Sequence, residues 1–122
     1  MNASEMAAWG AVSTVPLNAA AGVFLRRITR GRFAQRMRPH YVLGYAALGL
    51  AAVHLLLSAG NMSSVNVNGI WLATFAFGGL MLQTFVGMSL QSPGAYRSAL
   101  RRWHLFLFWS VAALILGHVA LN

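Results

Sequence analysis

Histidine is the residue in this sequence whose type and spacing could do chemistry. The chain has four histidines, and they form two pairs with the same fourteen-residue separation, His40 with His54 and His104 with His118. On an α-helix, fourteen residues give a rise of about 21 Å and a change in azimuth of only about 40°, so both imidazoles of a pair face one side. Neutral imidazole binds metal ions and heme iron. The spacing therefore predicts two ligating levels on each of two helices.

The elements that would carry these histidines are membrane-spanning helices. Hydrophobic residues make up 58% of the chain and charged residues 8%, and the mean hydropathy is +0.62. In lipid the backbone must satisfy its own hydrogen bonds, so the apolar runs are expected to be helices. The sequence predicts an all-α integral membrane four-helix bundle, a single domain over residues 1–122. The predicted spans cover about residues 6–25, 40–59, 69–90 and 103–121.

The basic residues predict how the spans are oriented. All nine are arginines: Arg26, Arg27, Arg30, Arg32, Arg36 and Arg38 lie between the first two spans, and Arg97, Arg101 and Arg102 lie between the last two. By the positive-inside rule both arginine-rich loops are expected in the cytoplasm and both termini outside. A nucleic-acid patch is the competing interpretation of a sequence pI near 11.9, and short loops between apolar spans favour topology instead.

This orientation makes the second and fourth spans parallel, and their histidines then match in level. His40 and His104 are expected at the inner level, and His54 and His118 at the outer level. Cysteine is absent, which excludes thiolate ligands and covalent heme attachment. The pattern therefore predicts two non-covalently bound b-type hemes, each ligated by two histidines, with the iron atoms as the metal sites.

Two further sets of residues are predicted to support such sites. Small residues on the histidine face of the second span would let a flat macrocycle approach the backbone, although close helix packing explains them nearly as well; they are Gly44, Ala47 and Ala51. Arginines at the inner level could pair with heme propionates or serve only as topology signals; they are Arg38, Arg101 and Arg102.

With these residues in view, the chain resembles the ferric reductase-like transmembrane domain. The segments that carry the resemblance are residues 38–54 and 96–118, and it covers about residues 36–122. The cytochrome b of quinol-oxidising respiratory complexes is similar in its paired histidines, but its paired glycines at fourteen-residue spacing are not reproduced. The resemblance implies that His40 and His104 ligate an inner heme and His54 and His118 an outer one.

The residues that are missing narrow the expected function. Glu5 is the only carboxylate, so the chain has no acidic proton relay, and it has no glycine-rich nucleotide-binding motif. We therefore expect a small cytochrome b subunit of a bacterial inner-membrane redox complex. Other subunits would supply the electron donor and acceptor, and a quinone could dock at a subunit interface.

Two other functional classes are compatible with the sequence. One is a pigment-binding subunit, in which the histidines coordinate chlorophyll magnesium, although a chlorophyll needs one axial ligand rather than an opposed pair. The other is a heme-free anchor or assembly subunit, which would use its histidines for packing and its arginines to dock an acidic partner. An absorption spectrum distinguishes the three classes.

Overall fold

Within the residues that it describes, the structure, a computed structural model, contains four long helices. It describes residues 1–28, 35, 37–60, 66–92 and 94–121, without the side chains of Arg26 and Ile28. Each helix is long and apolar enough to cross a membrane, so the prediction of an all-helical, multi-pass membrane protein is confirmed. The helices are α1 (Ala3–Ile28), α2 (Arg38–Ser58), α3 (Val67–Ser89) and α4 (Arg97–Leu121).

The helices extend beyond the predicted spans, most clearly at the arginines. The fourth helix begins at Arg97 rather than near Trp103, and the first continues to Ile28 rather than ending near Leu25. Arg38 is the first residue of α2. The described arginines thus belong to helices rather than to loops, because arginine is a good helix former and its long side chain can reach the interface from inside a helix. The two arginine-rich cytoplasmic loops stay a prediction. Arg30, Arg32 and Arg36 lie outside the described residues.

Local sequence sets the beginnings of two helices. Pro39 occupies the first turn of α2, where a missing N–H costs nothing and the fixed φ suits the helix. Asn66 caps α3, because its side-chain oxygen accepts a 3.0 Å hydrogen bond from the Asn68 amide. As a result, Gly69 lies in the first turn of α3, and His40 lies in the first turn of α2.

The helices pack as two antiparallel hairpins, α1 against α2 and α3 against α4. The chain divides accordingly into two compact units, Met1–Gly60 and Asn61–Asn122, called hairpin 1 and hairpin 2. Hairpin 1 contains the first histidine pair and hairpin 2 the second. The association of the two hairpins into a single bundle stays a prediction.

Glycine allows the helices of each hairpin to approach closely. A Cβ atom at Gly10 of α1 would lie 3.2 Å from Leu50 Cδ1 of α2, and one at Gly79 of α3 would lie 2.8 Å from Val111 Cγ2 of α4. Val111 is only 2% exposed. Because lipid supplies no hydrophobic force between helices, such backbone proximity and van der Waals contact, together with hydrogen bonds between the helices, hold a hairpin together.

Candidate functional site

The outer histidine of hairpin 1 makes a dense set of polar contacts with the start of α1. His54 Nδ1 lies 3.1 Å from the main-chain oxygen of Ser4 and 3.0 Å from its Oγ. The hydroxyl of Ser58, one turn further along α2, is 3.4 Å from the same nitrogen and 2.7 Å from Ser4 Oγ. The imidazole is thus held against the main chain of the neighbouring helix.

The inner histidine of hairpin 1 contacts the second half of α1 in the same way. His40 Nδ1 is 3.0 Å from the main-chain oxygen of Asn18. A Cβ atom at Gly22 would lie 3.2 Å from this nitrogen and 3.4 Å from Cε1, so glycine provides the space in which the ring lies. The two acceptor residues, Ser4 and Asn18, are fourteen positions apart, as are the two histidines. The antiparallel helices therefore bring both rings to main-chain oxygens.

Hairpin 2 positions its histidines against α3. His118 Nδ1 is 2.9 Å from the main-chain oxygen of Gly69 in the first turn of α3. The His104 ring lies beside Gly87, where a Cβ atom would come within 3.3 Å of Cε1 and 3.7 Å of Nδ1. One histidine thus meets the beginning of the partner helix and the other its last turns, as in hairpin 1.

The two hairpins therefore share one plan. In the first helix of each hairpin, one residue contacts the outer histidine and a glycine contacts the inner histidine. These two residues are eighteen positions apart in both hairpins. Midway along the second helix, seven residues from each histidine, Ala47 and Val111 are each 2% exposed. The equivalent pairs are Ser4 and Gly69, Gly22 and Gly87, His40 and His104, and His54 and His118.

The main-chain contacts determine which ring nitrogen could bind a metal. A carbonyl oxygen can only accept a hydrogen bond, so Nδ1 of His40, His54 and His118 carries the proton in these contacts. In the neutral ring, Nε2 then bears the lone pair. Histidines that ligate metals usually donate their other N–H to a carbonyl or carboxylate in this manner. These three rings thus fit heme iron chemically as nitrogen donors.

The small residues predicted beside the histidines have different surroundings. A Cβ atom at Gly44 would lie 3.3 Å from Asn18 Nδ2, so the space at Gly44 faces a side chain of α1. Ala47 is buried and Ala51 is partly exposed. The absence of a side chain at Gly44 therefore serves packing between α1 and α2 within hairpin 1.

The arginines predicted to bind propionates are exposed at the ends of their helices. By helix geometry, Arg38 and Arg102 each lie about 160° around the axis from the neighbouring histidine, whereas Arg101 lies about 60° from His104. Asn61, Ser63 and Asn122, the polar residues near the predicted outer level, lie outside the described residues.

The sequence does not reveal the histidine partners on α1 and α3. Three of the acceptors are main-chain oxygens, which no residue type marks. The eighteen-residue interval between Ser4 and Gly22, and between Gly69 and Gly87, was the available signal. It is weak because the residue types differ at one end.

Comparison with known proteins gives no relative for the chain: no protein family, curated protein or solved structure matches it. The resemblance to ferric reductase-like domains therefore stays a prediction from the residues themselves.

Proposed function

We propose that this chain transfers electrons across a membrane through two b-type hemes, each held between two histidines, as a small cytochrome b subunit of a redox complex. The observation that carries the proposal is the Nδ1···O=C contact of three of the four histidine rings, which puts the lone pair of those rings on Nε2. In the proposal, His40 and His104 hold the inner heme, and His54 and His118 the outer. Bis-histidine ligation leaves no open coordination position, so the bound group supplies electron transfer rather than oxygen activation.

The protein's contribution is to fix the rings before any cofactor binds. A main-chain oxygen within an α-helix moves little, so the bond from Nδ1 sets both the tautomer and the orientation of the imidazole. Gly22 and Gly87 keep space for two of the rings. Of the three arginines predicted to bind propionates, Arg101 lies nearest in azimuth to its histidine, and in this proposal it pairs with a propionate.

The topology belongs to the same proposal. In each hairpin the arginines lie at the end where its two helices are connected, which is also the end nearer to the inner histidine. The positive-inside rule then directs these ends to the cytoplasm. With both hairpins oriented alike, a bacterial cytoplasmic membrane is the expected location, and donor and acceptor subunits lie on opposite sides.

A heme-free anchor subunit is the second candidate, because the same contacts have a structural use. Each Nδ1–H bond ties α2 to α1 or α4 to α3. Hydrogen bonds between helices in membranes contribute on average about 0.6 kcal/mol each. Histidines that only join helices would need no metal at Nε2.

The decisive experiment tests the roles of the two ring nitrogens of one histidine separately. In His118→Asn, the amide nitrogen lies where Nδ1 was and can still donate to the Gly69 oxygen, but nothing replaces Nε2. His118→Ala removes both atoms. Dithionite-reduced minus oxidised spectra and pyridine hemochrome quantitation of the purified chain measure the heme content. Thermal unfolding in detergent measures the stability of hairpin 2.

The proposal expects two hemes per wild-type chain and loss of one in both variants, with the Asn variant unfolding nearer to wild type than the Ala variant. Leu116→Ala, at a side chain that is 70% exposed on the same helix, is the matched control and should keep both hemes. Heme-free wild-type protein, folded and purified with its partners, would refute the proposal and favour the anchor. Chlorophyll bands would indicate the pigment class.

A further inference from the structure

One face of α4 forms an open groove at its arginine-rich end. The groove, about 350 Å³ in volume, is lined by Ala99, Arg102, Trp103 and Phe106. These residues occupy positions i, i+3, i+4 and i+7 and so follow one side of the helix. The Trp103 and Phe106 rings stand almost perpendicular, at 88°, with centroids 5.7 Å apart. Arg102 is thus followed by the Trp103 ring at the next residue and by the Phe106 ring about one turn deeper along the helix.

We propose that this groove binds an anionic phospholipid, with Arg102 on the headgroup phosphate and the two aromatic rings against the first part of an acyl chain. The guanidinium can bind phosphate oxygens in a bidentate manner. Tryptophan is favoured at the headgroup level of a bilayer, where its ring is partly apolar and partly wet. Trp103 is 59% exposed and Phe106 60% exposed, so both rings are available to lipid.

The groove is separate from the histidine face of α4. Its four residues span about 100° of azimuth and are centred about 150° from His104 on the other side of the helix. The α3 helix contacts the histidine side, where Gly87 meets the ring. A lipid in the groove therefore leaves the proposed heme ligands untouched, and the inference does not rest on the proposed function.

Charge balance favours an anionic occupant from outside the chain. The sequence has nine arginines and one carboxylate, Glu5, and that carboxylate lies 3.9 Å from the Met1 amino group. The first turn of α4 contains no acidic residue, although the helix N-terminus is itself electropositive. Arginines there are unfavourable unless anions approach, and in a membrane-spanning protein lipid phosphates are the anions at hand.

Hairpin 1 provides a natural control for this groove. Arg38 of α2 corresponds to Arg102, because each lies two residues before the inner histidine. The positions equivalent to Trp103 and Phe106 are Pro39 and Val42, so the arginine of hairpin 1 lacks this Trp–Phe pair and is followed instead by Tyr41 and Tyr45, three and seven residues later. An arginine beside the Trp–Phe pair can thus be compared, in the same molecule, with an arginine that lacks this pair.

The test measures tryptophan quenching by brominated lipids in vesicles that contain the full chain. Brominated phosphatidylglycerol is the anionic probe, and brominated phosphatidylcholine is the zwitterionic one. Wild type should be quenched preferentially by the anionic probe, and Trp103→Phe should remove the quenched component that shows this preference. An arginine near an anionic membrane surface contributes about 1 kcal/mol, so Arg102→Gln should lower the preference about fivefold. Arg38→Gln should keep most of it.

Equal quenching by both probes in wild type would overturn the proposal. So would an equal loss in Arg38→Gln and Arg102→Gln, since that result indicates only general attraction to the surface. A preference that survives Trp103→Phe would place the anionic lipid elsewhere and would also refute it. Circular dichroism of each variant in the same vesicles establishes that its helices are intact.

Discussion

The contact between Gly79 and Val111 gives the sharpest test of how hairpin 2 is built. In Gly79→Ala the new Cβ would lie 2.8 Å from Val111 Cγ2, well inside the separation of about 3.5–4.0 Å at which carbon atoms attract. Val111 is 2% exposed and lies midway between the two histidines of α4, so it has little room to move. We expect a loss of about 1–3 kcal/mol in the free energy of unfolding, the usual cost of overpacking.

The adjacent glycine supplies the control. A Cβ atom at Gly78 would meet nothing within 4 Å, so Gly78→Ala should be neutral or slightly stabilising because alanine favours the helix. Adding Val111→Ala to Gly79→Ala removes the clashing methyl group and should recover most of the loss, which would appear as a coupling of about 1 kcal/mol or more in a double-mutant cycle.

Reversible unfolding in mixed detergent, followed by circular dichroism, measures the wild type, the three single variants and the double variant. The reasoning is refuted if Gly79→Ala is no less stable than Gly78→Ala, or if Val111→Ala adds its own cost without relieving the first.

Two further predictions concern the polar contacts and the topology. Ser4→Ala removes the hydroxyl beside His54 but keeps the main-chain oxygen 3.1 Å from Nδ1, so heme content should stay at the wild-type value while stability falls by about 0.6 kcal/mol; hemochrome quantitation showing heme loss would contradict the main-chain assignment. The chain has no cysteine, so Gly60→Cys and Gly94→Cys can be labelled singly in intact cells with a membrane-impermeant maleimide. Labelling at Gly60 alone is expected, and the opposite pattern would reverse the proposed orientation.

The four helices could be predicted from the sequence because lipid imposes a simple rule of length and apolarity. The helix ends were less predictable. The same rule excludes Arg97, Arg101 and Arg102 from the fourth span, whereas helix propensity and snorkelling keep these residues in α4. The histidine pairs were visible as residue types. Their partners were not, because the oxygens of Ser4, Asn18 and Gly69 belong to the backbone, and only the packing of antiparallel helices selects them.

The shared plan of the two hairpins bears on the origin of the chain. Duplication and fusion of a gene for one hairpin would produce both fourteen-residue histidine intervals and both eighteen-residue intervals in the partner helices. Once fused, the copies are free to diverge, since a change in one is no longer imposed on the other. Pro39 and Val42 in one copy, against Trp103 and Phe106 in the other, are differences of this kind. Fusion would thus let a symmetric ancestor acquire a lipid contact on one side only.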